Sequence, residues 1–327
     1  MENAKVLVTR RIPEKGLELL RREARLVLWP GELPPSRQEL LDNAKGAAGI
    51  LCLLTDHIDA EVMDAAGANL KVISNYAVGF DNIDVKEATR RGIPVGNTPG
   101  VLTEACADHT FALLMAAARR VAEGDRQVRS GGWRTWEPMG LLGVDIFGAT
   151  LGIIGYGRIG QGVARRAKGF NMRVLFYDPL QPTKQDPESG AVNAALDELL
   201  AQSDFVSLHA PLTDETMRLF NRERFAKMKA GAILVNTARG ALVDHGALYE
   251  SLAEGRLGGA GLDVTDPEPL PLNHPLLTLE NVVITPHIAS ASRITRERMA
   301  VMAAENALAG LKGEKLPYCV NEEVYKL

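Results

Sequence analysis

Three polar residues in the second half of the chain sit where short apolar runs give way to turns. They are Arg239 in Asn236-Thr237-Ala238-Arg239-Gly240, Glu268 in Asp266-Pro267-Glu268-Pro269, and His287 in Thr285-Pro286-His287-Ile288. Their types suit one kind of chemistry. A guanidinium can clamp a carboxylate and polarise the carbonyl next to it. A histidine, with an ordinary pKa of about 6.5, can give a carbonyl oxygen its proton as hydride reaches the carbon. A carboxylate behind the ring holds its orientation and stabilises the imidazolium. These are the groups that reduction of a 2-oxo acid needs. Each alone also has an ordinary structural use, so the chemical reading depends on their being held beside a source of hydride.

Gly155-Tyr156-Gly157-Arg158-Ile159-Gly160 supplies the signal for that source. A GxGxxG string alone is weak, but here the strand-like run Leu151–Ile154 precedes it. A helical pattern with Ile159, Val163, Ala167 and Phe170 on one face follows it, and a second strand-like run, Val174–Tyr177, leads to Asp178. Gly155 permits the tight turn, Gly157 lets a pyrophosphate approach the backbone, and Gly160 lets helix and strand pack closely. The free N–H groups at the helix start favour a diphosphate, and Arg158 adds a positive charge. Asp178 can accept from the adenosine ribose hydroxyls. It would repel a 2′-phosphate by on the order of 4 kcal/mol for unit charges 4 Å apart at an effective dielectric of 20. The reading is NAD(H), with NADP(H) disfavoured by Asp178. Pro179-Leu180-Gln181 offers no arginine for a phosphate, and Lys184 is the nearest following cation.

The elements that must position these groups follow a strand–helix alternation. Further strand-like runs are Lys5–Thr9, Ala48–Leu53, Val72–Ser74, Phe205–Leu208, Ile233–Asn236, Gly259–Leu262 and Val282–Thr285. Apolar runs without in/out alternation, separated by helices, predict α/β architecture with parallel sheets covered on both faces. Two helical stretches mark boundaries: one from Thr103 to about Val128, about 39 Å at ~1.5 Å per residue, and one over Arg293–Leu311. They predict a discontinuous arrangement, with residues 1–100 plus 288–327 as one domain and 101–287 as the other.

The 327 residues suffice for two domains, and 46% hydrophobic with 24% charged residues is an ordinary globular balance. A net charge of −4 offers no basic face for nucleic acid and no polybasic membrane patch. No run approaches ~18 apolar residues and no leader pattern opens the chain, so a cytoplasmic protein is expected. Cys52, Cys106 and Cys319 form no CxxC pair, and His57, His109, His209, His245 and His274 show no paired metal-ligand spacing. No metal is expected. In the first domain, Asn75-Tyr76-Ala77-Val78-Gly79-Phe80-Asp81-Asn82 has the small residues of a backbone cradle for an anion.

Taken together, Val78-Gly79-Phe80-Asp81-Asn82-Ile83-Asp84, the glycine string, the His209 segment HAPLT, NTARGALVD from Asn236, GLDVTDPEP from Gly261 and TPHIAS from Thr285 carry a resemblance along nearly the whole chain. The sequence resembles the D-isomer-specific 2-hydroxyacid dehydrogenases, and within them the glyoxylate/hydroxypyruvate reductases. The supporting segments are those around Leu53-Leu54, Trp133–Pro138 and Pro269–Leu277. The resemblance implies a Rossmann-type cofactor domain and a flavodoxin-like substrate domain, both doubly wound, with a cleft between them. It implies that Arg239, Glu268 and His287 are catalytic, with His287 the acid/base, and that the amides of Val78 and Gly79 hold the substrate carboxylate. Leu54 and Trp136 would shape the substrate pocket. By the same comparison Thr103, Gly155, Gly157, Arg158, Ile159, Gly160, Asp178, His209, Pro211, Thr237 and Asp263 would bind the cofactor. A homodimer is implied, with the segment around Trp136 reaching toward the neighbouring active site.

Two positions depart from the resemblance. Several reductases of this group carry a basic or small polar residue at the position of Asp178 and prefer NADPH, so their preference does not transfer. Tyr156 stands inside the glycine turn, and little is expected of it. The rival readings are a dehydrogenase of another acid (phosphoglycerate, D-lactate or phosphite) and a non-catalytic NADH-sensing protein. No room for a regulatory domain and no basic arm or disordered tail are expected in this chain, which counts against the phosphoglycerate and sensor readings. Formate dehydrogenases of the family lack the glutamate, so Glu268 counts against that activity.

Overall fold

The structure, a computed structural model, describes residues 4–181 and 183–326. The chain separates into two compact units, Met1–Leu102 with Ala291–Leu327, and Thr103–Ser290. The first unit alternates β1 (Lys5–Val8), α1 (Glu14–Glu23), β2 (Arg25–Leu28), α2 (Arg37–Ala44), β3 (Gly49–Cys52), α3 (Ala60–Ala66), β4 (Val72–Asn75), α4 (Val85–Arg90) and β5 (Val95–Gly96). The chain re-enters this unit with α11 (Arg293–Lys312). The five strands are parallel in the order β2-β1-β3-β4-β5, the flavodoxin-type winding.

Successive residues of β4 explain why its sequence does not alternate. Ile73 packs into a core with Leu40, Val62, Met63 and Ile83 from the α2–α4 side. Its neighbours point the other way: Ser74 donates to the Ala303 carbonyl of α11 at 2.8 Å, and Val72 lies against Gly310. Both faces are covered, so both must be apolar or satisfied.

The second unit holds α5 (Thr103–Ala118), α6 (Val121–Arg129), β6 (Thr150–Ile154), α7 (Arg158–Ala167), β7 (Arg173–Tyr177), β8 (Val192–Asn193), α8 (Leu196–Gln202), β9 (Phe205–Leu208), α9 (Arg222–Lys227), β10 (Ile233–Asn236), α10 (His245–Ala253), β11 (Gly259–Leu262) and β12 (Val282–Ile284). Its strands, all parallel, run β12-β11-β10-β9-β6-β7-β8. The winding reverses between β6 and β9, the switch point at which Rossmann-type sheets take ligands. One face is buried under α5 and α7 through Phe111, Leu114, Val163 and Ala164. The other lies under α8–α10 through Leu199, Phe225 and Leu248. No helix among the described residues is long and apolar enough to cross a membrane.

Two expectations need correction. The long helix from Thr103 is two helices, broken at Arg119-Arg120, where Arg120 adopts a left-handed φ of 51°. The returning chain takes over the helix end: the Val144 amide donates to the Ala118 carbonyl at 2.9 Å. Arg120 forks onto the Glu123 carboxylate at 2.7 Å, which fixes the new start. The strands β2, β5 and β8 were not anticipated. They are edge strands of their sheets, and β2 has no fully buried residue while β5 and β8 are two residues long.

Candidate active site

One row of aligned residues organises the second unit. Tyr177, Ile154, Leu208, Asn236, Leu262 and Ile284 are register partners in turn across β7, β6, β9, β10, β11 and β12. All six strands are parallel, so the residues that follow this row emerge at one end of the sheet. They are Asp178, Gly155, His209, Thr237 with Arg239, Asp263 with Glu268, and Thr285 with His287.

His287 and Glu268 meet directly, Nδ1 to Oε1 at 2.6 Å. An ionised carboxylate only accepts, so Nδ1 carries the hydrogen and Nε2 is left as the nitrogen that can exchange a proton. His287 has a left-handed φ of 54°, unusual without glycine and costing on the order of 1–3 kcal/mol. Its surroundings hold it there. Its amide donates to the carbonyls of Asp263 at 2.9 Å and Thr285 at 3.0 Å.

Asp263 is the anchor of that loop. It is 1% exposed, and its Oδ1 accepts from the Thr285 hydroxyl at 2.6 Å and the Ile288 amide at 2.8 Å. Its Oδ2 accepts from the Ala289 amide at 2.7 Å. His109 of α5 completes the cluster, with Nε2 3.0 Å from Thr285 Oγ1 and 3.3 Å from Asp263 Oδ1. The Thr285 proton goes to the carboxylate, so His109 Nε2 is the N–H that the threonine oxygen accepts.

Arg239 leads from β10 into a short 3-10 turn, Gly240–Leu242, and its Nη1 donates to the Ala238 carbonyl at 2.8 Å. Asn236 shapes this loop: its Nδ2 donates to the Arg239 carbonyl at 2.8 Å and its Oδ1 accepts from the Ala238 amide at 3.0 Å. Gly240 passes so close to the next loop that a Cβ would lie 2.0 Å from the Thr265 carbonyl oxygen. Thr237 is buried, its hydroxyl 3.0 Å from that of Thr110.

The glycine turn has the geometry its sequence demands. Gly155 has φ of 88°, and a Cβ there would meet the Ala210 amide nitrogen at 2.5 Å. A Cβ on Gly160 would sit 2.4 Å from the Gly155 carbonyl oxygen. At Gly157 a Cβ meets nothing within 4 Å, so it would occupy the open space in front of the α7 amides. That helix start has no side-chain cap, and Arg158 beside it is exposed. Asp178 accepts from the Tyr156 amide at 2.8 Å and, through its other oxygen, from the Leu180 amide at 2.9 Å. A carboxylate has about four acceptor positions, so each oxygen keeps capacity for a ribose hydroxyl. Open amides, a bare Gly157 and an acceptor carboxylate fit a dinucleotide. His209 follows β9, with Nε2 2.8 Å from Ser207 Oγ, and burial pushes its pKa down to about 3. It is therefore a neutral group across the working range. Thr103 opens α5, Ile159 is half-buried on α7, and Pro211 is exposed.

Val78, Gly79 and Leu54 belong to the first unit. The carbonyls of Val78 and Gly79 are each held by an asparagine, Asn97 and Asn75, at 2.8 Å. Leu54 is exposed, in a loop whose Leu53 amide donates at 2.7 Å to the buried Asp56 carboxylate. Trp136, in the second unit, is 78% exposed.

The loop-holding roles of Asn75, Asn97, His109 and Asn236 carry little signal in the sequence. Asn236 left a signal: asparagine directly after a strand and before Thr-Ala-Arg-Gly is suited to an Asx turn. Tyr156, from which little was expected, is buried and hydrogen-bonded at both its amide and its phenol. Among the described residues no group of three His, Cys, Asp or Glu is arranged to hold a metal.

Residues 111–289 match the family model described as D-isomer specific 2-hydroxyacid dehydrogenase, NAD binding domain. A glyoxylate reductase of Korarchaeum cryptofilum is 56% identical over 99% of this chain and 97% of its own length. One of Pyrococcus furiosus is 50% identical over 99% and 97%. A solved structure from Thermus thermophilus superposes with a TM-score of 0.91 at 55% identity, over 97% of this chain and 99% of that one. The chain belongs to the D-isomer-specific 2-hydroxyacid dehydrogenases, oxidoreductases that interconvert 2-oxo and 2-hydroxy acids with a nicotinamide dinucleotide.

Proposed function

We propose that the protein reduces small 2-oxo acids with NADH, glyoxylate first and hydroxypyruvate second, with His287 as general acid. The observation that carries this reading is the 2.6 Å contact between His287 Nδ1 and Glu268 Oε1 on adjacent loops beyond the strand row. Bound NADH supplies the hydride. Arg239 clamps the substrate carboxylate and polarises its carbonyl, and the amides of Val78 and Gly79 share that carboxylate. Leu54 and Trp136 bound the substrate side chain. Glu268 orients the imidazole and stabilises its charged form, and Nε2 delivers the proton to the carbonyl oxygen. The α7 amides with Gly155, Gly157, Arg158, Ile159 and Gly160 take the diphosphate. Thr103, His209, Pro211, Thr237 and Asp263 line the rest of the cofactor site. Asp178 takes the ribose hydroxyls and disfavours NADPH by charge.

We further assign a cytoplasmic homodimer. Trp133, Trp136, Met139, Leu142 and Phe147 are exposed along one segment, apolar side chains that a second copy could cover.

The test is initial rates with NADH and NADPH, each against glyoxylate, hydroxypyruvate and pyruvate, on the native chain and on His287→Ala. The native protein should favour NADH and glyoxylate, and His287→Ala should lose roughly 10²–10⁴-fold in turnover. A variant that keeps near-native turnover on glyoxylate refutes the assignment of the acid.

A further inference from the structure

Tyr156 stands at an ordinary position in the glycine turn, yet it is 3% exposed and tied to more partners than a turn residue needs. Its ring stacks on Phe176 of β7, with centroids 3.9 Å apart and planes 16° from parallel. Its amide donates to Asp178 Oδ2 at 2.8 Å. Its phenol donates to Asp186 Oδ2 at 2.7 Å and lies 2.9 Å from Ser189 Oγ. One residue thus holds the segment after β7 at both ends.

The far end of that segment is itself closed by hydrogen bonds around Asp186. The carboxylate accepts from Ser189 Oγ at 2.6 Å and from the Glu188 amide at 3.0 Å. The Asp186 amide donates to the Ala191 carbonyl, and the Gly190 amide donates to the Asp186 carbonyl, both at 2.8 Å. Although burial raises the Asp186 carboxyl, bonds from Ser189, Tyr156 and the Glu188 amide bring it below its ordinary range. It is the ionised acceptor that a phenol and a serine hydroxyl can share. Within the segment Lys184 is exposed, and its carbonyl is bound by the Asn193 amide at 2.8 Å. Lys184 is the first cation after Asp178 in the chain, the kind of group a 2′-phosphate would need.

We propose that Tyr156 is a specificity-determining residue: its phenol locks the Asp186–Ala191 loop to the glycine turn, so that Asp178 is presented pre-oriented to the ribose and Lys184 stays on a fixed backbone. The inference rests on the reading that Asp178 receives the adenosine ribose. Pre-organisation of this kind lowers the ordering cost of binding. It acts on the dinucleotide that uses Asp178, and not on one that must avoid it.

Tyr156→Phe keeps the stack and removes the phenol. The dissociation constants of NADH and NADPH are measured by fluorescence titration without substrate, and amide exchange over residues 184–191 is followed in the ligand-free protein. The NADH constant should rise about three- to tenfold, that for NADPH should change less than twofold, and exchange over 184–191 should quicken. Should Tyr156→Phe fail to fold, Ser189→Ala loosens the same lock from the other side and should shift the ratio in the same direction. An unchanged NADH/NADPH ratio with unchanged exchange overturns the proposal. Asp178→Ala separates the two levels. If it leaves the ratio unchanged, the ribose reading has failed. If it collapses the ratio while Tyr156→Phe does not, only the lock has failed.

Discussion

Replacing Asp263 by asparagine removes one acceptor and adds a donor at the point where the His287 loop is anchored. Three donors converge on this buried carboxylate: the Thr285 hydroxyl and the Ile288 amide on Oδ1, and the Ala289 amide on Oδ2. The threonine can reverse its hydroxyl, but the two amides cannot. Whichever way the asparagine side chain is turned, its NH₂ faces one of them. One N–H is then left without its acceptor, the buried Ala289 amide or the part-buried Ile288 amide, at about 1–3 kcal/mol, and the remaining bonds lose their charge assistance, at about 1 kcal/mol each. The sum, about 3–5 kcal/mol, is anchoring that now holds the left-handed backbone of His287 against its own strain of about 1–3 kcal/mol. The loop should shift, and a displacement of ~1 Å at an acid costs about 10²-fold in turnover. Amide exchange at Ile288 and Ala289 in the ligand-free protein reads the anchor directly, and kcat on glyoxylate reads its consequence. Faster exchange with a hundredfold lower kcat is expected. Unchanged exchange and a kcat within twofold of native would refute the anchoring role. A rise confined to the NADH dissociation constant would return Asp263 to the plain role of cofactor ligand.

Two further outcomes follow from the same structure. Burial holds the pKa of His209 at about 3 and, together with His274, also lowers that of His245. Unfolded histidines bind protons near pH 6.5 while these folded ones do not. The stabilisation from His209 is therefore complete above that pH and is lost as pH falls toward 3, at up to about 1.4 kcal/mol per pH unit, and His245 acts in the same direction. Denaturant midpoints between pH 7.5 and 5 lie above the carboxylate range, and His209→Gln should flatten their slope by close to one proton; an equal slope in the variant would be inconsistent with a neutral ring at this position. Gly240→Ala drives a Cβ into the Thr265 carbonyl, and backbone on both sides leaves nothing flexible to yield. It should cost at least about 3 kcal/mol or abolish soluble expression, and a variant with native thermal stability would show that the approach is looser than described.

Interior strands declared themselves in the sequence, because strands covered on both faces are apolar at consecutive positions, as Ile233-Leu234-Val235 and Phe205-Val206 are. The edge strand β12 showed itself too, as an apolar run, while the edge strands β2, β5 and β8 escaped because they are exposed or only two residues long. Arg25–Leu28 has one covered side and carries a pattern little different from a loop. The break after Ala118 had no local signal at all, since neither glycine nor proline stands near it. It arises from residues 143 and 144 returning to the helix end, a tertiary event that spacing cannot show. The glycine turn and the His287–Glu268 pair were legible because each depends on residue type at a strand end. Asn75 and Asn97 were not, because each acts by holding a carbonyl of the 78–79 loop, and polar residues in loops are too common to signal that role.

Asp178 and Asp263 bring the two kinds of information together. Both stand at strand ends, just beyond the aligned row. Each serves the backbone: Asp178 ties the end of β7 to the glycine turn, and Asp263 ties the end of β11 to the loop after β12. At the C-terminal end of a parallel sheet the loops have no ladder of their own, so their amides need acceptors from elsewhere. A carboxylate at the strand end supplies several at once and is rigid because the strand is. Anchoring the loops on these side chains couples their shape to the sheet beneath them. Substitutions at these two aspartates should therefore disturb binding and loop order together, whereas Arg158, exposed and outside this framework, should affect binding alone.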